Sequence, residues 1–210
     1  LLGQPVIYYS IKAFEDSPVD EIVIVCSADY IEYFRHSIIE KYGFKKVKAI
    51  VQGGKERYNS VYEGLKAANG TDYVLIHDGA RPLVDNEIIV RSIHTVEKEK
   101  ACVAGMPVKD TIKVSDELGY SANTPDRKSL WQIQTPQCFE YDLLAQSYDK
   151  LFSDMSCGKS VPAITDDAMI VEYGSDTKVR LIEGSYENIK VTTPEDMGIA
   201  ELFLKKRRKM

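Results

Sequence analysis

Short apolar runs alternate with stretches of helical spacing through the first half of this chain. Ile22 to Cys26, Val47 to Val51, Tyr73 to Ile76 and Ala101 to Val108 are runs of strand length, mostly rich in β-branched residues. Between them, Pro5 to Phe14 and Asp29 to Tyr42 carry apolar residues three and four apart, with Gly43 as a stop. Two further helices are expected, one opened by Gly53-Gly54 and one capped by Asp85 or Asn86. Continuous apolar runs predict strands covered on both faces. Their alternation with helices over short links predicts βαβ units, hence an α/β fold with a parallel sheet.

The rhythm breaks at Lys109. Thr111 to Ser115 alternates apolar and polar residues, Gly119 can turn, and Tyr120 to Lys128 is polar. This reads as a hairpin-like arm, residues 109–128, inserted into a single domain spanning 1–210. Its few apolar residues cannot support a core of their own, so it is expected to lie on something, a second copy being the natural candidate. After the arm, Leu130 to Gln134 is expected to re-enter the sheet, and Tyr141 to Phe152 to form a helix. Thr165 is expected to cap a short helix bearing Asp166 and Asp167 in its first turn. Val179 to Glu183 is a late strand. In the last helix Thr193 caps, Pro194 takes the first position and Asp196 stands where a capping-box acid would. The closing run Lys205 to Lys209 reads as a solvated, frayed helix end.

One stretch collects candidate chemistry. Tyr73 to Ile76 runs into His77, Asp78, Gly79 and Arg81, and Pro82 ends the strand. Ligands of open α/β sheets bind at the carboxyl ends of such strands. A carboxylate there can fix a sugar hydroxyl or a hydrated magnesium ion, and an arginine fork matches a phosphate; the pair could equally shape its own loop. His77 reads as a packed histidine. Gly53-Gly54 permits close backbone approach, with free N–H groups for a polar ligand, or is simply a tight turn. Ser60 could reach the same ligand or cap its own helix. Lys190, after an apolar strand, could neutralise charge on a transferring phosphoryl group or be a surface lysine. Thr111, Thr135 and Thr165 offer hydroxyls that otherwise cap or turn, and Arg127 lies in the arm. Asp78, Arg81 and Lys190 together suggest a phosphate-handling nucleotide enzyme.

Composition narrows this further. With 27 basic and 32 acidic residues the net charge is −5, which argues against a general nucleic-acid or membrane-surface binder. No apolar run approaches a membrane-spanning length. Cys26, Cys102, Cys138 and Cys157 are widely spaced and, with three histidines, make no zinc pattern, which suits reduced thiols in the cytoplasm. There is no G-x-S-x-G elbow and no G-x-G-x-x-G fingerprint. Leu1 is not a methionine, and Leu2 to Pro5 reads as a loop leading into a helix, so the chain is expected to begin partway through a domain.

Seven segments carry a resemblance: Gln52 to Ser60 (Q-G-G-x-E-R-x-x-S), His77 to Pro82 (H-D-G-A-R-P), Pro107 to Lys113 (P-V-K-D-T-I-K), Asp126 to Trp131 (D-R-x-x-L-W), Gln134 to Phe139 (Q-T-P-Q-x-F), Thr165 to Ala168 (T-D-D-A) and Asn188 to Asp196 (N-I-K-V-T-T-P-E-D). Their content and order resemble the 2-C-methyl-D-erythritol 4-phosphate cytidylyltransferases of non-mevalonate isoprenoid synthesis. The resemblance implies a Rossmann-like nucleotidyltransferase three-layer sandwich with a mostly parallel sheet, a homodimer using CTP and Mg2+. It implies that Gly53, Gly54 and Ser60 meet the cytosine, that Gly79 lies by the ribose, and that Asp78 lies near the sugar–phosphate and the metal, reached through water. Lys190 would stabilise the transition state, and Thr135, Thr165 and Arg81 would line the substrate-phosphate side. Thr111 and Arg127 would reach the partner subunit's substrate through the exchanged arm. The family's glycine-rich loop, with its triphosphate-binding arginine and lysine, would precede Leu1. Lys55 stands where the family more usually has an acidic or short polar residue. The nearest alternative is a ribitol 5-phosphate (polyol-phosphate) cytidylyltransferase, which shares the H-D-x-x-R-P loop and N-I-K-V-T but resembles the V-K-D-T and D-R-x-x-L-W segments less.

Overall fold

The computed structural model describes residues 1–207. Helix α1 (Val6–Glu15) leads to strand β1 (Ile22–Cys26), as the apolar spacing predicts. The helical segment that follows is irregular: a 3-10 turn (Ala28–Tyr30), one α-turn (α2, Ile31–Tyr33) and a π-helical stretch (Phe34–Glu40). Then come β2 (Val47–Gln52), α3 (Arg57–Ala67), β3 (Tyr73–Ile76), α4 (Asn86–Glu99) and β4 (Ala101–Pro107). The arm holds β5 (Val114–Ser115) and β6 (Ser121–Asn123). Beyond it lie β7 (Trp131–Glu140), α5 (Tyr141–Ser156), α6 (Asp167–Gly174), β8 (Arg180–Glu183) and α7 (Pro194–Arg207).

β1 and β2 pair in parallel. A second sheet has the order β3-β7-β4-β8, in which β3, β4 and β8 run one way and β7 runs against them. The expected short re-entry at Leu130 to Gln134 is thus a ten-residue strand through the sheet centre. Its direction has a simple cause: the arm connects β4 to β7 without a crossover helix, so the chain returns antiparallel. Pro136, which cannot donate to a ladder, falls at the irregularity in the β4–β7 register between Val103 and Gly105.

Period-2 alternation distributes the core over two faces. Ala101 and Val103 face α3, α5 and α6 with Val74, Ile76 and Phe139. Cys102 and Ala104 face α1 and α4 with Tyr73, Leu75 and Cys138. This makes three layers. The β3 run is packed on both faces as expected, yet each of its four residues is only half-buried. No strand of the described residues pairs with its other edge, and β1 and β3 both line a cavity of about 920 Å³.

Local side-chain chemistry marks several of the helix starts. The Asp85 carboxylate accepts from the Ile88 N–H, and that of Asp196 from the Thr193 N–H. Ahead of α6 the cap is Asp166, which accepts from the Met169 N–H, whereas the Thr165 hydroxyl turns to the Met169 sulfur at 3.1 Å. A carboxylate one residue closer to the helix displaces the expected Thr165 cap. The basic run is not simply solvated. Lys206 and Arg207 pair with Glu187 at 3.0 and 3.3 Å and tie α7 to the segment before Lys190, while residues 208 and 209 lie outside the described residues.

Candidate active site

The loop after β3 carries Asp78 among three cations. Its Oδ2 lies 3.1 Å from Lys190 Nζ and 3.6 Å from Arg81 Nε, and its Oδ1 lies 3.5 Å from Arg57 Nε. Burial opposes ionisation of Asp78. The Lys190 hydrogen bond and the charges of Arg57, Lys190 and Arg81 outweigh it and hold the carboxyl below its ordinary range. The internal Asp–Arg pair considered for Asp78 and Arg81 is therefore loose. Arg81 instead donates from Nη1 to the Asn188 carbonyl at 2.9 Å, and its buried Nε has no hydrogen-bond partner.

His77 and Thr135 fix the same loop through an unambiguous proton inventory. The Arg81 carbonyl can only accept, so His77 Nε2 carries the proton and donates to it at 3.1 Å. Nδ1 is then an acceptor, and Thr135 Oγ1 donates to it at 2.9 Å. The same oxygen accepts the Asp78 N–H at 3.1 Å. The single hydroxyl proton of Thr135 is used inside the loop. Burial pushes His77 down to about 4, which keeps the ring neutral and in this tautomer. From the other side, the buried Ser10 hydroxyl of α1 donates to the Gly79 carbonyl at 3.0 Å.

Lys190 arrives on an irregular segment rather than a strand. The Val191 N–H donates to the Ala80 carbonyl at 2.8 Å, which stitches this segment to the Asp78 loop. The fully buried Asn188 amide donates to the Thr135 carbonyl at 2.9 Å and to Gln134 Oε1 at 3.3 Å. Three sequence-distant segments therefore meet at Asp78, Thr135 and Lys190.

Gly53 and Gly54 do not open a helix: α3 starts at Arg57, with Glu56 and Asn59 forming a reciprocal cap. Their N–H groups are not free either. Gly53 donates to the Cys26 carbonyl at 2.8 Å and Gly54 to Ser60 Oγ at 3.1 Å, while Ser60 itself donates to the Glu56 carbonyl at 3.2 Å. Glycine is required because α3 comes so close. A Cβ on Gly53 would lie 2.7 Å from Ser60 Oγ, and one on Gly54 would lie 2.4 Å from Asn59 Cβ. What this turn still offers a ligand is chiefly carbonyl oxygen.

Three expected residues stand apart. Thr111 and Arg127 are exposed on the arm, and Arg127 donates to the Lys109 carbonyl at 2.7 Å. Thr165 is exposed ahead of α6. No hydrogen bond or ion pair among the described residues joins any of the three to Asp78 or Lys190. Conversely, the structure adds Arg57, Asp167, Asn188 and Ser10. Arg57 donates to Asp167 at 2.8 Å, and the buried Tyr148 hydroxyl donates to the other Asp167 oxygen at 3.0 Å. All but Ser10 lie inside quoted motifs, where a role for each could have been sought.

One carboxylate among three cations, at the carboxyl end of a strand in a three-layer α/β sandwich, is a site suited to an anionic, phosphate-bearing ligand. Residues 1–206 match the profile of the family described as IspD, 2-C-methyl-D-erythritol 4-phosphate cytidylyltransferase. The chain is 52% identical over 206 residues to a Lachnospira eligens protein of that name, covering 98% of this chain and 88% of that one. It is also similar to the crystal structure of the Anaerococcus prevotii 4-diphosphocytidyl-2C-methyl-D-erythritol synthase, with a TM-score of 0.85 and 33% identity over 97% of this chain and 87% of that one. The cytidylyltransferase of Thermus thermophilus matches with a TM-score of 0.75 and 26% identity, covering 97% and 90%. The chain belongs to the 2-C-methyl-D-erythritol 4-phosphate cytidylyltransferase family.

Proposed function

We propose that this protein transfers CMP from CTP to 2-C-methyl-D-erythritol 4-phosphate, giving 4-diphosphocytidyl-2-C-methyl-D-erythritol and pyrophosphate. The observation that carries the reading is the Asp78 loop held against Lys190 and Arg81 in a chain of this family. A phosphate oxygen of the substrate attacks the α-phosphorus of CTP, and the bond to the bridging oxygen of the leaving pyrophosphate breaks. The nucleophile is already an anion, so no general base is needed, and catalysis consists of positioning and charge neutralisation.

Lys190 takes the developing charge on the phosphoryl group. Arg81, whose buried Nε has no hydrogen-bond partner, faces the substrate phosphate. The Gly53-Gly54 turn, kept open by Ser60, receives the cytosine through its carbonyls, and Asp78 and Gly79 hold the sugar end. Thr135 serves by fixing the Asp78 backbone. Thr165 lines the substrate side.

No group of three His, Cys, Asp or Glu among the described residues could hold a metal ion. A single carboxylate would suit Mg2+ brought in with the triphosphate, and Asp78 is the residue that would help to hold it. Bound there, the ion would neutralise phosphate charge.

The arm, residues 109–128, exposes Leu118 and Tyr120 and is the dimerisation element of a homodimer, bringing Thr111 and Arg127 to the neighbouring site. No described helix is long and apolar enough to cross a membrane. The reading places the enzyme in the cytoplasm, acting on small molecules rather than on nucleic acid or membranes. The test is pyrophosphate release from CTP by the intact protein. Methylerythritol phosphate should support it well above ribitol 5-phosphate, and the reverse order would overturn the assignment.

A further inference from the structure

Asp78 has three cationic neighbours, but they are not equally free to leave it. The Lys190 side chain is 44% exposed and, among the described residues, pairs with Asp78 alone. The Arg57 guanidinium is anchored: Nη2 donates at 2.8 Å to Asp167, whose side chain is fully buried. Asp167 is itself fixed on every side. Tyr148 donates to its other oxygen at 3.0 Å, and Gln137 Oε1 accepts the N–H groups of Asp167 and Ala168 at 2.9 and 3.1 Å. Arg57 is thus clamped from below by α5, α6 and β7, with its Nε turned to Asp78 Oδ1. The two oxygens of Asp78 divide the cations: Oδ1 faces the anchored Arg57, and Oδ2 faces the exposed Lys190 and, at 3.6 Å, Arg81, which is half-buried and held by the Asn188 carbonyl.

A half-buried carboxylate that loses its closest cation is left with charge that the more distant cations must compensate, and the cation resists leaving if they do not. A second cation that cannot leave removes this obstacle. We propose that Arg57 is a positioning residue of this site: anchored on Asp167, it is the standing counter-ion on the Oδ1 side of Asp78, beside Arg81 on the Oδ2 side, and so frees Lys190 to move to the reacting phosphoryl group. The inference rests on the transition-state role given above to Lys190. Arg57 touches no reacting atom in this scheme and acts through Asp78 and Lys190.

The test compares Arg57→Gln, Arg57→Lys, Asp167→Asn and Lys190→Ala in the intact protein, each first shown to fold by circular dichroism and thermal melting. Arg57→Gln should lower kcat about 100-fold, the size expected for a preorganised charge, with KM for CTP and for methylerythritol phosphate nearly unchanged. Arg57→Lys should lose less. Millimolar guanidinium should restore part of the turnover of Arg57→Gln and none of that of Lys190→Ala. Asp167→Asn, which weakens the anchor but keeps the arginine, should fall between Arg57→Gln and the parent. Wild-type turnover in Arg57→Gln beside an impaired Lys190→Ala would overturn this inference alone, and undiminished turnover in Lys190→Ala would overturn the reading beneath it. A loss that neither guanidinium nor Arg57→Lys lessens would make Arg57 a structural anchor only and also overturn the inference.

Discussion

The Lys190 ammonium rests 3.1 Å from the Asp78 carboxylate, and the lysine is the more exposed of the two, 44% against 15%. The ammonium is thus held on a carboxylate, on a segment stitched to the Asp78 loop through Val191 and Ala80. The charge matters most where phosphoryl charge develops, so Lys190→Ala should lower kcat about 100-fold or more while KM for CTP changes little. Steady-state pyrophosphate release measures both. Unchanged kcat would remove Lys190 from the chemistry.

Thr135 separates two roles for one hydroxyl. Its proton goes to His77 and its lone pair takes the Asp78 N–H. Thr135→Val should strand a backbone N–H and a ring nitrogen, at a cost of about 2 kcal/mol in stability, and should lower kcat by loosening the Asp78 loop. Thr135→Ser should keep most of both. Urea unfolding and kinetics on the two variants decide the matter. A stable Thr135→Val protein with only a raised KM for methylerythritol phosphate would return the hydroxyl to the substrate.

His77 gives a pH signature. Its pKa is about 4 in the folded chain against an ordinary 6.5, because burial disfavours the charged ring. The unfolded chain therefore takes up this proton first as pH falls. Stability from keeping His77 neutral is complete above pH 6.5 and is lost as pH falls from there towards 4, amounting to about 3 kcal/mol by the lower end. His77→Gln, which keeps a donor for the Arg81 carbonyl, should be less stable at neutral pH yet lose less on acidification. Urea unfolding at pH 7 and at mildly acidic pH compares the two slopes. Equal slopes would mean that the ring does not stay neutral in the fold.

The alternation of strands and helices was legible because continuous apolar runs such as Tyr73 to Ile76 are packed from both sides. The direction of β7 was not, because Gln134 to Gln137 is polar and holds a proline that sits at a register irregularity. Asp78 and Arg81 were legible as strand-end charges, whereas Lys190, expected after a strand, stands on an irregular segment. The partners that position them were not. Arg57 lies 110 residues from Asp167 and Asn188 lies 53 from Thr135, and pairs at such separations leave no periodic trace. The Gly53-Gly54 turn was found for the right feature and given the wrong chemistry. Its N–H groups face a strand carbonyl and Ser60, which only the packing of α3 against β1 reveals.

The arm gives a prediction of assembly. Arg127 is exposed and its guanidinium donates to the carbonyl of Lys109 in its own arm, whose ammonium in turn stacks on Tyr186, 3.4 Å from the ring centroid. If Arg127 serves the neighbouring subunit, Arg127→Ala and Lys190→Ala homodimers each lack one function in both sites. Mixing them creates heterodimers in which one site has both defects and the other has neither. Random exchange from equal amounts should restore about a quarter of the parental activity, since half the dimers are mixed and half their sites intact. The measurement is pyrophosphate release before and after unfolding and refolding the two variants together. Recovery no greater than either variant alone would place Arg127 and Lys190 in the same chain's site.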